Sequence, residues 1–360
     1  MQLVVPPPIL PMLAKRVGAV PEGSGWLFEP KWDGFRALVF RDGGELLLQS
    51  RDEKPLDRYF PELHDALLAQ LPPRCVLDGE IVLARAGALD FEALQMRLHP
   101  AASRVGKLAK EIPTSIVFFD LLCEGERDLR GEPFRARRAA LERLLAKTGP
   151  PLYLTPATED RALALDWFAR FEGAGLDGVI AKPDTGTYQP NKRVMFKVKH
   201  ERECDCVVAG FRWHKNGAGT MVGSLLLGLY DDADALQHVG VASSFSDAKR
   251  RELVDFLAPY RANSLATHPW QDWAGHENGE TAHRRRPGAG SRWNAGKSLA
   301  WEPLRPELVA EVEYDHMQGT RFRHIAHFRR WRPYKRPADC TYEQLEVVPP
   351  HELRAIFNPG

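Results

Sequence analysis

Glu29-Pro30-Lys31-Trp32-Asp33-Gly34-Phe35-Arg36 sets one lysine between an acid two residues before it and an Asp-Gly pair two residues after it. In isolation Lys-x-Asp-Gly reads as a turn ahead of a strand, because Asp and Gly favour the backbone conformations that reverse a chain. The same arrangement makes Lys31 a candidate nucleophile. On one side Trp26-Leu-Phe-Glu29 reads as a strand. On the other, Phe35 to Phe40 reads as a second strand, followed by the hairpin signal Arg41-Asp-Gly-Gly44 and a partner strand from Glu45 to Ser50. Lys31 is therefore expected on a strand connection, where its side chain can point into a cleft.

Further along, Tyr59 to Gln70 has helical spacing and ends before Pro72-Pro73. Cys75 to Leu83 reads as a strand that carries Asp78 and Glu80 inside an apolar run, where acids cost desolvation energy unless they find partners. Phe91 to Leu98 reads as a short helix and Ser115 to Leu122 as a strongly apolar strand. Two helices are expected over Phe134–Lys147, which is basic and amphipathic, and Ala162–Glu172. Leu176 to Pro183 gives a strand with Asp177 near its start and Lys182 near its end, and Val194 to His200 puts Lys197 and Lys199 on one strand face by the two-residue period.

Composition shifts near Glu201–Asp205, which predicts two domains, 1–202 and 203–360. Beyond the boundary, short strands are expected at Cys206–Phe211, Gly223–Tyr230, His238–Ala242, Leu308–Tyr314 and Ile325–Arg332. They are interrupted by a helix at Asp247–Leu257 and a loop from about Thr267 to Pro303. Five short strands in a basic domain fit a small Greek-key β-barrel of the OB-fold type. The fold class is thus α+β: antiparallel sheets flanked by helices, then the barrel.

With 360 residues and 44% hydrophobic content, the chain has enough apolar surface for two cores. Five scattered cysteines offer neither a disulfide framework nor a zinc site, which suggests a reducing, cytoplasmic setting. There is no leader pattern and no transmembrane run, so no membrane is expected. Net charge is only +1, but Met317 to Arg336 contains seven Lys or Arg residues and no acid, interleaved with Phe322, Phe328, Trp331 and Tyr334. That reads as a local footprint for a polyanion. Two motif-like strings fail on context. Gly173-Ala-Gly-Leu-Asp-Gly178 follows a helix and precedes a strand, the reverse of a dinucleotide fingerprint, and Gly290 to Ser298 has five residues between its glycines where a phosphate loop needs four.

What remains is a coherent set: Lys31, Arg36, Arg51, Glu80, Phe119, Asp177, Lys182, Lys197 and Lys199. A lysine amine that attacks an α-phosphate must be deprotonated, and neighbouring cations favour that form. The same cations suit triphosphate oxygens. Carboxylates such as Glu80 and Asp177 suit Mg2+, or Mn2+ in its place, and Phe119 offers a flat face to a purine.

At these residues the sequence resembles the nucleotidyltransferase family of ATP-dependent DNA ligases and capping enzymes. The resemblance rests on seven strings in the family's order: Lys31-Trp-Asp-Gly34, Ser50-Arg51, Leu77-Asp-Gly-Glu80, Phe118-Phe-Asp120, Asp177-Gly-Val-Ile-Ala-Lys182, Phe196-Lys-Val-Lys199 and Arg332-Pro-Tyr-Lys335. Pro11-Met-Leu-Ala14, the extended string Phe28 to Arg36, and Phe322-Arg-His324 look most like bacterial ATP-dependent DNA ligases, and the length is similar to the short two-domain ligase C type. The resemblance implies ATP as cofactor, with AMP covalently attached to Lys31. It implies that Glu29 and the backbone around Pro30 contact adenine, that Arg36, Arg51 and Glu80 hold ribose and phosphate, and that Phe119 and Ile180 sandwich the base. Asp177 and Glu80 would bind metal, Lys182, Lys197 and Lys199 would contact the α-phosphate, and Arg332 and Lys335 would orient pyrophosphate. Two positions depart from the family pattern: Asp177 stands where Glu is usual and Tyr334 where Asp is usual.

The expected function is nick sealing in double-stranded DNA, in repair, by a monomer that works with repair proteins. The lack of a further DNA-encircling domain predicts weak nick affinity with marked salt dependence. RNA ligase, capping guanylyltransferase and a non-catalytic OB-fold binding protein are the rival readings.

Overall fold

Alternating and apolar runs on both sides of Lys31 form strands in a computed structural model that describes residues 1–264, 267–271 and 300–345. These fall into two units, Met1–Lys199 and a second that begins at His200. The string Gly290–Ser298 and most of the loop expected from Thr267 to Pro303 lie outside the described residues.

The first unit is built on two sheets. One is ordered β1 (Leu13–Arg16), β9 (Arg193–Val198), β8 (Val179–Pro183), β2 (Trp26–Pro30). The other is ordered β7 (Leu152–Leu154), β6 (Ser115–Glu124), β5 (Arg74–Val82), β3 (Phe35–Asp42), β4 (Glu45–Ser50). Period-two alternation sorts their side chains. Leu38, Phe40, Val76 and Leu122 of the second sheet share a core with Met12, Tyr188 and Met195. The opposite face of that sheet, with Ala37, Val39, Leu77 and Phe118, is covered by helices α1 (Pro61–Gln70), α2 (Phe91–Met96) and α4 (Phe134–Leu145). The outer face of the first sheet, with Phe28, Val179, Ala181 and Val198, packs on Ala164 and Trp167 of α5 (Arg161–Arg170). Glu29, Ile180 and Lys197 are cross-strand partners, so they share the inner face of the first sheet.

The sheets are mainly antiparallel, as expected. Two additions are parallel edge strands, β1 against β9 and β7 against β6. Both are too short, and too close to prolines, to show a period in the sequence. Helix α3 (Ala102–Glu111) was also missed: it is short, buries only Val105 and Leu108, and carries Gly106 in its middle.

In the second unit, five antiparallel strands are ordered β12 (Leu236–Ala242), β11 (Val222–Tyr230), β10 (Arg202–Trp213), β13 (Glu302–Tyr314), β14 (His327–Trp331). The Ala326 N–H, just before β14, donates to the Val241 carbonyl at 2.9 Å and Ala326 bridges Ala242. The two edge strands thus meet, which curls the sheet into the expected OB-like barrel. Helix α6 (Asp247–Arg261) packs on it through Leu253 and Leu257, with the Ser246 hydroxyl capping its start by accepting from the Lys249 N–H. No helix among the described residues is long and apolar enough to cross a membrane.

The acid-free stretch 317–336 meets acids from other parts of the chain. A bulge in the β13–β14 ladder puts Phe328 opposite Val312 and Trp331 opposite Ala310, so both rings turn toward the barrel core. Arg329 and Arg330 turn the other way, onto Glu313 and Glu311 of β13. The cations are therefore largely neutralised by acids that lie elsewhere in the sequence. Of the four aromatics, only Tyr334 stands out in solvent, at 99% exposure.

Gly178 is held in a place no side chain fits. Its φ is +131°, and a Cβ there would lie 2.0 Å from the Val198 carbonyl oxygen. Gly178→Ala is expected to cost about 2–4 kcal/mol through combined strain and overpacking, read as a lower midpoint in urea unfolding. An unchanged midpoint would contradict this account of the loop.

Candidate active site

Lys31 follows the last residue of β2, and its backbone is paired with the loop that leads into β8. The Lys31 N–H donates to the Gly178 carbonyl at 2.8 Å, and the Asp177 N–H donates to the Lys31 carbonyl at 2.9 Å. This reciprocal pair fixes the two side chains next to each other. Lys31 Nζ lies 2.5 Å from Asp177 Oδ2, and Lys199 Nζ lies 3.0 Å from the same oxygen. Lys197 is one strand repeat from Lys199, and partial burial, then the charges of Lys31 and Lys199, lower its pKa. One carboxylate and three ammonium groups thus converge at the strand ends. Gly34 completes the Lys-x-Asp-Gly turn for a steric reason: a Cβ there would meet the Ile81 carbonyl oxygen at 2.0 Å.

A second cluster lies along the inner face of the first sheet. Lys182 Nζ is 2.7 Å from Glu29 Oε2 and donates to the Phe119 carbonyl at 2.9 Å. It also sits 4.8 Å from the centre of the Phe119 ring and 4.4 Å from that of Phe134. Arg138 of α4 approaches Glu29 from the other side, Nη1 to Oε1 at 3.5 Å. Lys182 thus meets Glu29 in this structure; the sequence resemblance implies that it contacts the α-phosphate. Arg36 sits 4.7 Å from the Phe119 ring centre and donates to both oxygens of Asp78, at 2.5 and 2.6 Å. The Tyr188 hydroxyl also donates to Asp78, at 2.7 Å. Burial works against the Arg36 charge, yet Asp78 holds its pKa above the ordinary value. Burial and then the Asp78 charge push the Tyr188 hydroxyl well up.

Glu80 stands opposite Arg36 in the β3–β5 register. Burial raises its pKa to about 7, against the opposing pull of Arg36 and Lys31. Ile180 is half-buried on β8 between Glu29 and Lys197, and Phe119 is half-buried on β6. Pro30 ends β2, and Arg51 is exposed on the turn after β4. In the second unit, Arg332 Nη1 bonds Glu311 and lies 3.3 Å from Asp205, while Lys335 lies 3.8 Å from Asp205.

Sequence reasoning did not find Arg138, Thr155 or Tyr188. For Arg138 a signal existed. Phe134, Arg137, Arg138, Leu141 and Leu145 are all buried on one stripe of α4, so two arginines occupy positions that helical spacing reserves for apolar residues.

Residues 11–199 match the ATP dependent DNA ligase domain, and residues 218–335 match the ATP dependent DNA ligase C terminal region. DNA ligase C2 of Mycolicibacterium smegmatis is 58% identical over 351 residues, covering 98% of each chain. DNA ligase C of Mycobacterium tuberculosis is 54% identical over 350 residues, covering 96% of each. Among solved structures, one from a study of DNA binding with a minimal scaffold by Lig E DNA ligases aligns at a TM-score of 0.55 and 17% identity, covering 90% of this chain and 100% of that one. At that identity the likeness speaks for the fold alone.

The raised pKa of Glu80 has a sign that can be read in stability. A carboxyl whose folded pKa is about 7, above the ordinary 4.5, favours folding below pH 4.5, and that contribution is lost as pH rises through 7. With metal chelated, Glu80→Gln is therefore expected to be more stable than the parent above pH 7, by about 3 kcal/mol, and to lose the advantage near pH 4. Thermal melting across that range is the measurement, and a pH-independent difference would contradict it.

Proposed function

The chain belongs to the ATP-dependent DNA ligase family and is an enzyme of that kind; from this premise we propose that Lys31 is its nucleophile and nicked double-stranded DNA its substrate. The observation that carries the assignment is the convergence of Lys31, Asp177 and Lys199 at the strand ends, inside the stretch that matches the ligase domain.

In the first step Lys31 Nζ attacks the α-phosphorus of ATP. A nitrogen–phosphorus bond forms, the bond to pyrophosphate breaks, and the amine gives up a proton. AMP then passes to the 5′-phosphate at the nick, and the 3′-hydroxyl displaces AMP to seal the strand. Lys197 and Lys199 lie on the Lys31 side of the sheet and are suited to hold the α-phosphate as its charge is redistributed. The lowered pKa of Lys197 is what burial, and after it crowding by like charges, produces at such a site.

The base end of the cleft is the cluster around Glu29, Phe119 and Ile180, with Arg36 and Arg51 toward the sugar and phosphates. Lys182 orients Glu29 there, in keeping with its bond to that carboxylate. Glu80 and Asp177 suit Mg2+, because both are carboxylates, both neighbour Lys31, and hard oxygen donors are what that ion takes. When bound, the ion would neutralise phosphate charge. Arg332 and Lys335 are assigned to pyrophosphate in the first step. A monomer acting in the cytoplasm with repair proteins completes the proposal.

Lys31→Ala is expected to abolish covalent labelling by radioactive ATP while leaving circular dichroism and the melting curve close to the parent. Retained labelling would overturn the nucleophile assignment. Chelation with EDTA is expected to abolish labelling of the parent, and added Mg2+ or Mn2+ to restore it; labelling that persists in EDTA would rule out the metal role. A sealing assay on nicked DNA, RNA and mixed strands tests the substrate: sealing of RNA nicks at a higher rate than DNA nicks would contradict it.

A further inference from the structure

Lys31 is bounded by two side chains that both lead to one helix. Two residues before it, Glu29 Oε1 lies 3.5 Å from Nη1 of Arg138. One residue after it, the Trp32 indole N–H donates to the Thr155 hydroxyl oxygen at 2.8 Å, and Arg138 Nη2 donates to the Thr155 carbonyl at 2.8 Å. The Arg138 Nε donates to Glu142 one turn further along α4, at 2.7 Å. Arg138, Glu29 and Thr155 are all buried. The Thr155 N–H is in turn tied to the Phe118 carbonyl at 2.9 Å, next to Phe119. A guanidinium fork thus holds Glu29 directly and the Thr155 segment, with Trp32 on it, indirectly.

We propose that Arg138 is a positioning residue for the lysine-adenylylation step, clamping the Glu29–Trp32 segment so that Lys31 is presented at one fixed place and angle. The proposal rests on Lys31 being the nucleophile. Lys31 lies outside the strand ladder proper and is held by the backbone pair with the Asp177–Gly178 loop on one side. That pair fixes its main chain against the first sheet, while Arg138 and Thr155 fix its neighbours against α4 and the segment after β7. Planarity matters here, because three acceptors at separate positions need a rigid fork, which an ammonium group on a flexible stem does not supply. Small misplacement of a nucleophile is costly in rate even when its origin is remote.

The step affected distinguishes positioning from a merely structural role. Lys31 forms a bond in the first step only; sealing of a nick that already carries AMP on its 5′-phosphate needs the pocket but not the lysine as nucleophile. Arg138→Lys keeps the charge and loses the fork. Its single-turnover rate of AMP attachment to Lys31 is expected to fall by about tenfold to a hundredfold, with sealing of the pre-adenylylated nick reduced much less. Thr155→Val removes the acceptor for Trp32 with little change of shape, and is expected to show the same bias toward the first step. This second variant carries the test if Arg138→Lys does not fold, as judged by circular dichroism and melting. Equal losses in both steps, or an unchanged first step, would overturn the inference. Absence of labelling in the parent enzyme, or labelling of Lys31→Ala, would instead overturn the nucleophile assignment on which it stands.

Discussion

The first unit depends on the pair of backbone hydrogen bonds that joins Lys31 to the Asp177–Gly178 loop. Strands β2 and β8 are already antiparallel neighbours, and the pair extends their ladder by one step past the strand ends. Two segments nearly 150 residues apart are thereby held so that their side chains must meet, and the ion pair between Lys31 and Asp177 follows from the backbone rather than producing it. The steric demand at Gly178 belongs to the same constraint: the loop passes so close to the Val198 carbonyl that only hydrogen fits. A surface ion pair is worth little on its own. Here its geometry is imposed by main-chain bonds, which is what a reactive lysine needs.

Away from that point the inner face of the cleft is arranged as charge pairs that leave little cation unanswered. Asp78 is answered by Arg36 and Tyr188, and Glu29 by Lys182 and Arg138. Apart from the half-buried Arg36 these groups are buried, so each pair holds its partner in one orientation at considerable desolvation cost. Phe119 lies against two of the cations, which places a ring with a fixed tilt at the inner face. The rigidity is local and electrostatic, and the apolar cores behind each sheet supply the platform.

Much of this was legible in the sequence, and the exceptions share a cause. Lys31, Asp177, Lys197 and Lys199 could be assembled because each lies at a strand end whose period is visible in a few residues. Asp78 announced that it needed a partner by being an acid in an apolar strand, but the sequence could not name Tyr188, 110 residues away. Arg138 was hidden by its helix, which is basic enough to disguise two buried arginines as surface charge. The basic stretch from Met317 to Arg336 gives no hint of its acidic partners, since these sit on the neighbouring strand β13, with Glu311 lying 21 residues from Arg332. Local pattern reveals which face a residue takes; which charge stands opposite is decided by topology.

That arrangement on the barrel has a consequence for how any polyanion is bound there. Glu311 and Asp205 occupy the guanidinium of Arg332, and Asp205 lies near the ammonium of Lys335. They act as tethered competitors, present at a high and constant effective concentration. An incoming phosphate must displace a carboxylate that never diffuses away, so its grip is weakened by that exchange and its departure is hastened by the carboxylate's return. For any polyanion that meets this surface, each contact with Arg332 or Lys335 is thus an exchange of one anion for another.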